Sequence, residues 1–141
     1  MSFFNSSIIT SSGMSVQRQV MDLISENLAN VNTAKAEDGN PYRRKIPIIG
    51  EKQISVFANT LTQQMQNVVY ISKVVKEDTP FREDYDPTHP LADARGYVKK
   101  PNINVAAEMM HMMDASRAYE ANVAAFNASK AMAAKALQIG A

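Results

Sequence analysis

Residues 103–139 read INVAAEMMHMMDASRAYEANVAAFNASKAMAAKALQI, and this stretch decides the fold. No proline or glycine falls between Asn104 and Gln138, and alanine is abundant, so intrinsic helix propensity is high. Val105, Met112, Tyr119, Phe126 and Ala133 step by seven; Met109, Ser116, Val123, Lys130 and Leu137 form a second line. A seven-residue repeat sustained over this length implies a left-handed supercoil with another helix. Asn102 or Asn104, following Pro101, can cap the start, and Gly140 can end it. Such a helix is about 50 Å long.

The first thirty residues supply a second helix. From about Asn5 to Asn32 apolar residues recur at helical spacing. Met14, Met21 and Leu28 lie seven apart, and Gln17, Ile24 and Val31 form the companion line with one polar member. Val16, Val20 and Leu23 widen the stripe into a broad apolar face. Paired only with each other, two helices of this length leave apolar surface uncovered, so the sequence asks for partners.

Between the helices lie the breakers. Asp38-Gly39-Asn40-Pro41 is a turn, and Tyr42 to Ile49 reads as a strand with Pro47 at an edge. Val68 to Val75 is β-branched and reads as a second strand, Thr60 to Gln66 is ambiguous, and Thr79 to Pro101 reads as a loop. The expected fold is mainly α with a small β-rich insertion: an antiparallel, coiled-coil-like pair of long N- and C-terminal helices plus a small β module. Residues 1–32 and 103–141 would form the helical core, and residues 33–102 a β- and loop-rich module at its far end.

Composition narrows the function classes. The chain has 141 residues and a formal net charge of +1, which gives no electrostatic footprint for nucleic acid or an anionic membrane. Cysteine is absent, which excludes disulfides and thiolate metal sites. Nine methionines favour adaptable apolar seams. No apolar run approaches the ~18 residues that span a bilayer. No Lys or Arg precedes Arg18, so a cleaved secretory signal is not expected.

Three stretches together carry a resemblance. Ser25-Glu26-Asn27-Leu28-Ala29-Asn30-Val31-Asn32-Thr33 looks like the N-terminal signature of flagellar rod and hook proteins. Residues 85–102, YDPTHPLADARGYVKKPN, resemble the loop of the FlgC-type proximal-rod subunits. Ser116-Arg117-Ala118-Tyr119-Glu120-Ala121-Asn122-Val123, followed by Asn127, Lys130, Met132, Lys135, Ala136, Leu137 and Gly140, is similar to the C-terminal helix of that family. Pro41 to Lys45 also matches, and the resemblance runs nearly end to end, weakest over residues 48–76. It implies a structural subunit of the bacterial flagellar basal-body rod, made in the cytoplasm and exported by the flagellar type III apparatus. Assembled across the periplasm on the membrane-embedded base, with copies of itself and other rod subunits, it would form part of a hollow drive shaft that transmits torque.

With the resemblance, the expected subunit-interface residues are Met14, Met21, Ile24, Asn27, Leu28, Asn30 and Val31 on the first helix. On the second they are Val105, Met109, Met112, Tyr119, Asn122, Val123, Phe126, Asn127 and Leu137. The four asparagines would act as register-fixing amides rather than surface caps. No catalytic, cofactor or metal residue is expected. Asp84, Asp86, His89 and Asp93, with His111, are the nearest thing to a metal-hydrolase set. An EF-hand fails there: the sixth position from Asp84 is His89, not Gly, and the twelfth is Arg95, not Glu. A cytoplasmic coiled-coil adaptor is the remaining alternative. Arg43-Arg44-Lys45 reads as a strand edge kept soluble rather than a nucleic-acid contact.

Overall fold

The computed structural model describes residues 3–36, 39–55 and 65–139. It contains α1 (Phe3–Ala29), β1 (Lys45–Ser55), β2 (Met65–Lys76), β3 (Arg82–Tyr85), β4 (Tyr97–Lys100) and α2 (Val105–Ile139). The mainly helical architecture with a small β portion is as expected. Asn104 is the N-cap of α2, its Oδ1 accepting from the amides of Ala106 and Ala107 at 3.0 and 3.2 Å. The proposed stop at Gly140 lies outside the described residues.

The helices pair antiparallel in a simple register. Ser6 Oγ lies 3.0 Å from Ser129 Oγ, Gly13 sits against the Asn122 side chain, and Asn27 Nδ2 donates to Glu108 Oε2 at 3.1 Å. Seven residues up one helix thus match seven down the other. The α2 line nearest α1 is therefore Glu108, Ala115, Asn122 and Ser129, and three of these four are buried. This line flanks the Val105–Met112–Tyr119–Phe126 heptad, on the side away from the Met109–Val123–Leu137 heptad. Small and polar side chains occupy it because they let the helices approach closely. A Cβ on Gly13 would come within 3.1 Å of Asn122 Nδ2, tighter than ordinary packing.

β1 and β2 form a long antiparallel hairpin, Lys45 opposite Lys76 and Ser55 opposite Met65, with a register irregularity at Ile48/Ile49. The expected strands were shorter. The ladder extends through Glu51, Lys52, Gln53 and Asn67, polar residues that a hydrophobicity pattern does not mark as strand. Both strands contact α1 along its side, rather than standing beyond the helix ends. Residues 60–64 of the ambiguous segment lie outside the described residues.

The segment expected to be an irregular loop holds a second, short hairpin. β3 and β4 pair Arg82 with Lys100 and Tyr85 with Tyr97. Their composition is charged and non-periodic, so pairing rests on cross-strand contacts. Tyr85 and Tyr97 meet edge to face at 5.3 Å, and Asp84 pairs across the strands with Lys100 while also holding Arg82 on its own strand. Gly96, at φ 80°, makes the turn before β4 with Tyr85 and Pro87 packed over it.

Candidate subunit-assembly surface

The polar centre of the molecule lies where α1 ends, β1 begins, β2 ends and α2 begins. Asn27 and Glu108 are each 1% exposed. Asn27 Nδ2 donates to the Lys45 carbonyl at 2.9 Å, and its Oδ1 accepts from the Lys45 amide at 2.9 Å and the Tyr42 hydroxyl at 3.0 Å. With the bond to Glu108, the amide has all its near partners satisfied inside the protein. Glu108 takes Arg44 Nε at 2.7 Å and Nη2 at 2.6 Å on its other oxygen, and Arg44 Nη1 reaches Glu77 at 3.2 Å. Burial works against the Arg44 charge, but Glu108 and then Glu77 outweigh it and raise its pKa. Lys45 Nζ pairs with Glu26.

Tyr42 is pushed up to about 12 by burial and then by the carboxylates of Glu26 and Glu108. A raised pKa stabilises the fold while the phenol is protonated. The contribution is whole below about 10 and is lost as pH rises through about 12. In an ultraviolet titration of the phenolate band, Tyr42→Phe is expected to remove a component titrating near 12. An unchanged curve would show that the hydroxyl does not sit in this cluster.

The residues expected at subunit interfaces separate by position. Ile24 and Asn27 are buried within the chain itself. Met14, Met21, Leu28, Asn30, Val31, Met112, Tyr119, Asn122, Val123 and Phe126 are half-buried, with part of each side chain open. Val105, Met109, Asn127 and Leu137 are exposed, Leu137 to 77%. Of the four amides, Asn27 does bridge the helices. Asn30 serves the end of α1 instead, donating to the Glu26 carbonyl and accepting from Thr33. Asn122 donates to the Ala118 carbonyl and packs on Gly13.

The outer surface of α2 is strongly apolar. Met109, Met110, Met113 and Met132 are each more than half exposed, as is Leu137. On the hairpin, Ile48, Ile49, Val69, Tyr70 and Val74 are also exposed. This much uncovered aliphatic surface marks an interaction face. Glu108 and Arg44, the pair that fixes the chain's own junction, were missed in the sequence. One signal was available: Glu108 falls on the seven-residue line through Ala115 and Ser129.

The acidic loop spends its groups locally. Hydrogen bonds from Arg82 and then Lys100 lower the Asp84 pKa. Asp86 caps Thr88, Asp93 accepts from the Arg95 and Tyr97 amides, and His89 Nδ1 accepts from the Leu91 amide at 3.1 Å. His111 lies apart on α2, exposed. Among the described residues, no three His, Asp, Glu or Cys side chains are grouped to hold a metal.

Residues 94–139 match the family model described as the flagellar basal body rod FlgEFG protein C-terminal. Along nearly its whole length the chain is similar to curated relatives. It is 43% identical to the flagellar basal-body rod protein FlgC of Bacillus subtilis, covering 99% of each chain. It is 38% identical to that of Borreliella burgdorferi, over 99% of this chain and 98% of the relative. With FlgC of Escherichia coli O6:H1 the identity is 36%, over 99% of both.

Proposed function

The chain belongs to the FlgC family of flagellar basal-body rod proteins, as a structural subunit of the rod, and from that premise we propose that it polymerises through the outer faces of its paired terminal helices. The observation that carries this is the division of α2. Its small and polar line faces α1, while Met109, Met110, Met113, Met132 and Leu137 face outward, each more than half exposed. A helix that only had to fold with α1 would gain nothing from apolar side chains there. Methionine adapts to unlike neighbours, which suits contacts with other rod subunits as well as with further copies of this chain.

In this reading residues 1–32 and 103–141 form the rod core, and residues 33–102 are an insertion that reaches toward neighbours. The subunit passes unfolded through the export apparatus, docks on the membrane-embedded base and works in the periplasm-spanning rod as part of a torque-bearing shaft. It performs no catalysis and carries no cofactor. The organisation of the acidic loop supports this, because its carboxylates and His89 are committed to turns and ion pairs.

Phe126 and Lys130 test the seam. Phe126 is half-buried on the flank of α2, and Lys130 is exposed one turn on. Truncating a Phe that neighbours have closed over costs about 3–5 kcal/mol, repeated in every subunit. Phe126→Ala should leave expression and export intact and prevent rod incorporation. Lys130→Ala should be milder, since the lysine head reaches water. Motility measured beside secreted-protein levels decides. Swimming Phe126→Ala cells with non-swimming Lys130→Ala cells would place the seam elsewhere.

A further inference from the structure

The hairpin is anchored unusually. In residues 45–54 of β1 and 67–76 of β2 no side chain is buried, although both strands contact α1. Half-buried residues such as Ile46, Pro47, Ile71 and Val75 give the hairpin some apolar packing, but no fully buried side chain pins it. Its base, by contrast, is fixed at several points. The Asn27 amide bonds both backbone groups of Lys45, the first residue of β1. Arg44, one residue earlier, grips Glu108 of α2 and Glu77, which follows β2. The ladder itself continues into this cluster, the Glu77 amide donating to the Arg44 carbonyl at 2.8 Å. Asn27, Arg44 and Glu108 thus join both helices and both strands at one buried point.

We infer that the Asn27–Arg44–Glu108 cluster is a positioning device: it sets the direction in which the β1–β2 hairpin leaves the helix pair, and so the geometry at which the subunit meets its neighbours. The second half of this rests on the rod-subunit reading above. A lever argument gives the reason for a buried charge pair at this place. The hairpin is about 35 Å long, so a rotation of about 10° at its base carries the tip roughly 6 Å. Ile49, Tyr70 and Val69 lie roughly 13–23 Å from that base, so the same rotation displaces an interface they present by roughly 2–4 Å, enough to break its side-chain fit. Hydrophobic contacts tolerate sliding, whereas a buried carboxylate with fixed donors accepts one arrangement. All three residues act through the hairpin they hold, not by touching a partner.

The absence of cysteine makes the test direct. Spin labels at Asp22→Cys and Ser72→Cys report the helix-to-hairpin distance, and labels at Asp22→Cys and Arg117→Cys report the helix-to-helix distance; all three positions are exposed. E108Q keeps the side-chain volume and an oxygen for Asn27 but removes the charge; R44M removes the other partner. In the full chain carrying either variant, the helix-to-hairpin distribution is expected to broaden to about twice its width, or to move by roughly 2 Å at Ser72, four residues from the hairpin base, while the helix-to-helix distribution is unchanged. A helix-to-hairpin distance that keeps its position and width in either variant overturns the assignment. So does joint broadening of both distances, which would make the cluster a stability element alone. Incorporation of E108Q into the rod is scored separately, with a several-fold loss expected. A moved hairpin with full incorporation would overturn the link to assembly while the solution distances stand.

Discussion

Glu108→Ala is expected to lower the unfolding free energy by about 3 kcal/mol, the largest single-residue effect on the isolated subunit. The carboxylate is 1% exposed and accepts from Arg44 and Asn27. Removing it leaves a guanidinium without its main partner and an amide donor without an acceptor, in a site water reaches poorly. Breaking a buried pair from one side typically costs about 3–5 kcal/mol. The lower end applies because Arg44 keeps Glu77 and is a quarter exposed. With total stabilities of about 5–15 kcal/mol, the loss is a large share. For a chain of this size it should depress the melting temperature by about 10 °C. Glu77→Ala is the comparison. Its side chain is 29% exposed, and the effect should stay within about 1 kcal/mol. Urea melts followed by circular dichroism measure both, and equal small losses for the two variants would mean that Glu108 is not buried as a charge.

The helices were legible because length, alanine content and the absence of breakers all point one way over residues 104–138. The strand cores were legible from the β-branched run at Val68 to Val75. What resisted reading was pairing. β3 and β4 carry four residues each, too few for a period, and charged side chains such as Arg82, Asp84 and Lys100 read as loop until their cross-strand partners are known. The direction of the α2 faces also resisted. Two apolar heptads looked like the seam toward another helix. The line that meets α1 inside the chain is Glu108, Ala115, Asn122 and Ser129, whose polarity hid it. A glutamate in a methionine-rich helix reads as solvent-facing. Only the arrival of Arg44 from sixty-four residues away makes its burial affordable.

Leu137 should show the converse: a substitution without cost to the subunit that abolishes the rod. The helix register explains its exposure. Ser6 meets Ser129, so the start of α1 at Phe3 reaches only the level of Met132, and residues 133–139 of α2 run past it. This overhang is about 10 Å long. Leu137 is 77% exposed there and Met132 65%. Covering a leucine in an assembled rod is worth about 1.5–3 kcal/mol per subunit, whereas a charge in the same place must be desolvated. Leu137→Asp alone would be ambiguous, because a negative charge in the last turn opposes the helix dipole by about 0.3–1 kcal/mol. Leu137→Lys removes that ambiguity, since its charge favours the dipole. The two variants should therefore differ slightly, in opposite senses, in the helicity of the free subunit. Both should be secreted at wild-type levels and both should fail to enter the rod, giving non-motile cells. Normal swimming with Leu137→Lys would show that the end of α2 stays in water after assembly, and the outer face proposed here would have to begin nearer Met109.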